Sequence, residues 1–169
     1  MNLQRTHSLL TMLATAAFLA LAGCTSVVTP DYGVREGRFA PCPADHDCVS
    51  SQEADPRLHI DPLTYDSDRG KAHDDLIMAI NAAGTARIAS NHRTYIRVEY
   101  PSVARDQRKA SSYYQPDNAV DEVEFYLAPG KHAIDVRSVG KLGLLENGDT
   151  RDRIEKIRAI FTKLQQTTK

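Results

Sequence analysis

From Thr6 to Pro30 the chain carries no Asp, Glu, Lys or Arg, although 25% of its 169 residues are charged. A stretch that long without charge cannot supply the solvated face of a small globular domain, so the chain divides into an apolar leader and a polar remainder. Arg5 stands near the start, an apolar run covers Leu9 to Leu21, and Leu21-Ala22-Gly23-Cys24 follows. The run is about 13 residues, the length of a signal-peptide core and short of the roughly 20 that span a bilayer.

Leu-Ala-Gly-Cys resembles the bacterial lipobox. The resemblance implies diacylation of the Cys24 thiol, cleavage before Cys24 and acylation of the new amino group. Each buried methylene contributes about 0.8 kcal/mol, so two or three acyl chains anchor a protein firmly. An ordinary secretory signal with a chance Cys is the alternative. Thr25 stands where sorted lipoproteins of the inner membrane carry Asp, which implies the outer membrane, facing the periplasm, in a Gram-negative host. The expected layout is a signal peptide over 1–23, a lipidated tether over 24–41 with Pro30, Gly33, Gly37 and Pro41, and one domain over 42–169. The net charge of -1 argues against nucleic acid as a partner.

The remainder reads as helix, hairpin, hairpin, helix. Lys71 to Ala83 places His73, Leu76, Ile77, Ile80 and Ala83 on one helical face, with Ser67 or Asp68 as cap and Gly84 as stop. Thr85–Ala89 and Thr94–Tyr100 read as a hairpin around a three-residue loop, Ser90-Asn91-His92, which matches the apolar faces of the two strands. Val120–Leu127 and His132–Val139 form a second hairpin. A two-residue Pro129-Gly130 loop would set Glu122 across from Arg137. Thr150 to Leu164 carries the apolar stripe Ile154, Ile157, Phe161 and Leu164, with Asp149 as cap. The fold class is α+β: an antiparallel sheet of about four strands with two helices on its apolar face. The polar stretch from Pro101 to Asn118, with Arg105, Arg108, Lys109, Tyr113 and Tyr114, is long for a loop. It reads as solvated chain, or as a contact for a ligand or anionic lipid.

Three clusters carry chemistry. Cys42 and Cys48 are the two Cys left after lipidation, and an oxidising envelope favours a disulfide between them. The alternatives are a zinc site with His46 and His59, against which the five-residue spacing speaks, and a reactive Cys48 beside His46. The second cluster is the polar sheet face: Arg97, Glu99, Glu122, Glu124, Asp135 and Arg137. It reads either as a ladder of cross-strand ion pairs, chiefly Glu122 with Arg137, or as a cleft with acid–base or cation chemistry. The third is Arg151 and Arg153 in the first turn of a helix, where the dipole disfavours cations. They suit an anion site joined by Arg137 or Lys141, or ion pairs with Glu122, Glu124 or Glu146. Ser50-Ser51 lacks a nucleophile-elbow context, and no phosphate loop or dinucleotide fingerprint is present.

Cys42-Pro43, Cys48-Val49-Ser50-Ser51, Asp121-Glu122-Val123-Glu124-Phe125, Arg137-Ser138 and Arg151 with Arg153 before Ile154-Glu155 together resemble one bacterial and plastid family, domain of unknown function 1499. The likeness covers about Cys42 to Phe161. Asp47, Glu122 and Thr150 stand where the family pattern has Asn, Asp and Asn. The resemblance implies a shared fold and residue set, and no reaction.

The expectation is a non-catalytic envelope lipoprotein, without cofactor or metal. Its domain would bind an anionic small molecule or an envelope protein through Arg137, Arg151 and Arg153, oriented by Glu122 and Glu124. A small enzyme with Glu124 as base, and a purely structural envelope protein, are the alternatives.

Overall fold

A computed structural model describes residues 32–44, 46–101, 120–140 and 149–167. Cys24, Lys141, Glu146, Arg105, Arg108, Lys109, Tyr113 and Tyr114, all named above, lie outside the described residues.

Among the described residues, six strands and two helices make the α+β fold. The strands are β1 (Cys48–Ser50), β2 (Leu63–Thr64), β3 (Arg87–His92), β4 (Tyr95–Pro101), β5 (Val120–Leu127) and β6 (Ala133–Val139); the helices are α1 (Arg69–Ala83) and α2 (Asp149–Thr167). The strand pairs among the described residues are antiparallel, in the order β1-β6-β5-β4-β3, with β2 also on β6. The two extra strands, of three and two residues, are too short to show a period in sequence. They seal the far edge of β6 against the loop-rich segment before α1.

Both helices cover one sheet face. Leu76, Ala79 and Ile80 of α1 and Ile154, Ile157 and Phe161 of α2 join Ile96, Val98, Val123, Phe125, Leu127, Ile134 and Val136 in the core. Asp68 caps α1 by accepting from the Lys71 N–H at 3.0 Å, and Gly84 ends it with φ 148°. The α1 face is rotated from the expected one: Ala72 and Ala79 are buried, while His73 and Ile77 lie at its margin. The close backbone approach of α1 is to α2, and small alanines suit it. Asp149 sits in the first turn of α2 rather than before it.

Both hairpin registers differ from expectation. The first turn is Arg93-Thr94, flanked by His92↔Tyr95, and a bulge between Ile88 and Ser90 returns Ile88 opposite Val98. The bulge does what the three-residue loop was expected to do: it restores the match of apolar faces by adding one residue. In the second hairpin the connection runs from Ala128 to His132, longer than Pro129-Gly130 alone, so Glu124 and not Glu122 lies across from Arg137.

The polar sheet face is covered too. Tyr32 to Pro41, expected as tether, lies on this face of the sheet, and Phe39 within it is buried. The structured part of the domain therefore begins before Cys42.

Candidate functional site

Alternation on β4, β5 and β6 sends Tyr95, Arg97, Glu99, Glu122, Glu124, Asp135 and Arg137 to the face away from the helices. Arg137 Nη1 donates to Glu124 Oε2 at 2.9 Å, and each side chain is 1% exposed. Glu124 Oε1 accepts from the Tyr95 hydroxyl at 2.8 Å and from the Gly33 N–H at 2.5 Å. Arg97 Nη1 bridges Glu99 and Glu122 at 2.9 Å each, and Arg87 also pairs with Glu99. The Tyr32 ring lies under the Arg97 guanidinium, 4.2 Å from its carbon. Arg137 Nη2 donates to the Pro41 carbonyl at 3.2 Å, which fastens the covering segment at its other end. Asp135 accepts from Ser51 and Gln52.

Burial governs the electrostatics of this layer. It pushes the Tyr95 phenol well above its ordinary range, and the Glu124 charge beside it adds to the shift. Burial alone would lower the Arg97 pKa, but Glu122 and Glu99 outweigh it and hold the guanidinium charged. The face is a closed set of ion pairs. Its principal pair is Glu124–Arg137 because of the register, where Glu122–Arg137 was expected.

Cys42 and Cys48 form a disulfide, with Cα atoms 5.7 Å apart. Both sulfurs are consumed, so neither the zinc arrangement with His46 and His59 nor a reactive Cys48 thiol is available in this state. His59 Nδ1 instead lies 3.0 Å from the Glu53 carbonyl oxygen. Cys42 N–H donates to Glu53 Oε1 at 2.7 Å, and Cys48 pairs with Val139. Asp47, between the two Cys and α2, accepts from the Thr150 N–H at 3.3 Å and so caps the helix from a distant part of the chain.

Arg151 and Arg153, at the start of α2, part company. Arg153 Nη2 donates to Asp121 Oδ2 at 2.6 Å, and its guanidinium lies 4.7 Å from the Tyr100 ring centre. Neither Glu122 nor Glu124 is its partner: both belong to the opposite sheet face. Arg151 Nη2 donates to the carbonyls of His59 at 2.7 Å and Arg57 at 3.2 Å. No carboxylate among the described residues pairs with Arg151. It lines a pocket of about 620 Å³ with Cys42, Pro43, His46, Asp47 and Leu58. The five residues expected to form one ligand site thus fall into three places: Glu122, Glu124 and Arg137 beneath Tyr32–Pro41, Arg153 on Asp121, and Arg151 at the disulfide pocket.

Sequence reasoning missed Gly33, Tyr95 and Asp47. Tyr32 and Phe39, two bulky rings in a stretch otherwise poor in them, were the available sign that the segment before Cys42 packs on something. A family model described as protein of unknown function, DUF1499, matches residues 38–161, about three quarters of the chain. No curated protein and no solved structure matches it.

Proposed function

The chain belongs to the DUF1499 family of proteins of unknown function, and from that premise we propose that it is a lipid-anchored binding domain of the cell envelope, taking a small carboxylate or phosphate at Arg151. The observation that carries the anion is the bonding of Arg151. Main-chain carbonyls fix its guanidinium through Nη2 but do not neutralise it, and Nε and Nη1 have no partner among the described residues. A guanidinium so held is preorganised for a planar oxyanion. Arg137 and Arg153 are already matched by Glu124 and Asp121.

The envelope location rests on the Leu21-Ala22-Gly23-Cys24 motif behind its apolar run and on the Cys42–Cys48 disulfide. The outer membrane, facing the periplasm, is the proposed address. The enzyme reading is less well supported, because Glu124 is fully buried with both carboxylate oxygens occupied. A base needs an open approach to its substrate. A purely structural role is what remains if nothing binds.

Calorimetric titration with inorganic phosphate and with citrate tests the proposal. Saturable binding that Arg151→Gln abolishes supports it. Equal heats from the two proteins, or none from either, overturn it. The mass of the amino-terminal peptide tests the anchor: an unacylated Cys24 contradicts it.

A further inference from the structure

Before the disulfide, the covering segment turns back on itself. Arg35 N–H donates to the Arg38 carbonyl and Arg38 N–H to the Arg35 carbonyl, each at 2.9 Å. The two residues form an isolated antiparallel bridge. Glu36, with φ 52°, and Gly37, with φ 79°, make the turn between them. Residues opposed in this way project their side chains to the same side of the ribbon, about 5.5 Å apart at Cα. Two long cationic side chains are therefore rooted side by side, and like charges directly opposed cost stability by themselves. Both arginines are exposed, and neither guanidinium has a hydrogen-bond or ion-pair partner among the described residues. Arg97, on the covered sheet face, shows the contrast: it is shared between two carboxylates.

The position of the turn points to its partner. Arg35 follows Cys24 by only 11 positions. Even fully extended, that length reaches about 40 Å at most. Tyr32, also exposed, lies between them, with an apolar body and a polar tip of the kind that settles at headgroup level. We propose that Arg35 and Arg38 form a clamp for the phosphate of an anionic lipid headgroup in the membrane that carries the anchor. The inference rests on the anchored reading above and is separate from the Arg151 pocket. Paired guanidinium groups match phosphate oxygens, and a phosphate between them removes the repulsion that the turn imposes. Acyl chains alone would leave the domain free to tumble; a second contact next to the anchor orients it.

The chain lacks Trp, so Tyr32→Trp supplies a single reporter that keeps an aromatic ring beside Arg97. The full chain, reconstituted into vesicles containing brominated lipid, is compared in phosphatidylcholine alone and in phosphatidylcholine with phosphatidylglycerol. The clamp predicts stronger quenching with phosphatidylglycerol, loss of the difference in R35Q/R38Q, and a melting temperature for that variant no lower than that of the parent. Quenching that ignores either phosphatidylglycerol or the two substitutions overturns the clamp. If mass spectrometry shows Cys24 unacylated, the anchor reading fails, and the clamp is judged by co-sedimentation of the same chain with the two kinds of vesicle. About 30-fold weaker association of R35Q/R38Q with phosphatidylglycerol vesicles then supports it, and unchanged association overturns it.

Discussion

Glu124 and Arg137 stand opposite each other across β5 and β6, pair at 2.9 Å and are each 1% exposed. Removing one partner leaves a charge without its counter-ion in a place water cannot reach. Arg137→Met is expected to cost about 3–5 kcal/mol in urea unfolding, and E124M/R137M less than the single change. Additive losses would show that the two groups are not coupled.

Tyr95 gives the same layer a pH signature. Its phenol is raised above its ordinary value of 10.0, first by burial and then by Glu124. Well below pH 10 the phenol is protonated in both folded and unfolded chains, so its contribution is constant. Above pH 10 the unfolded chain releases this proton and the folded chain keeps it, so stability falls as pH rises. Melting curves from pH 8 to 11 are expected to steepen in their decline above 10, less so in Tyr95→Phe. A parallel decline in the two proteins would contradict this source.

The Cys42–Cys48 bridge closes a short loop and fixes the end of the covering segment. Reduction is expected to cost about 2 kcal/mol. Amide exchange should speed up at Gly33 and Phe39, whose N–H groups donate to Glu124 and Gln52. Unchanged exchange at both amides on reduction would show that the segment does not depend on the bridge.

Phe39 separates a packed segment from a tether. It is 8% exposed. Phe39→Ala is expected to destabilise the domain by about 3 kcal/mol, measured by chemical denaturation. A loss near zero would return the residues before Cys42 to the role of linker.

The layers of this fold were legible because alternation on β4, β5 and β6 and the stripe on α2 are properties of single elements. The partners of the charged side chains were not, because they depend on register. One residue of bulge near Ala89 decides which residues face each other across β3 and β4, and a connection longer than Pro129-Gly130 decides which Glu meets Arg137. Neither can be counted from periodicity. Arg151 and Arg153 are two residues apart in sequence, yet one reaches main-chain carbonyls and the other Asp121. Side chains two apart do not share a helix face. The Gly- and Pro-containing segment read as linker because its composition suits one. Its contacts come from the sheet face it lies on, which no local property reveals.

The most direct test of the account is a nitrogen-15 NMR titration of the full chain with inorganic phosphate, following the Arg151 Nε–H resonance, identified by its loss in Arg151→Gln. An anion bound at Arg151 gives a saturable shift of that resonance and leaves the Arg137 Nε–H resonance unmoved. A stationary Arg151 resonance through the titration would contradict the anion site.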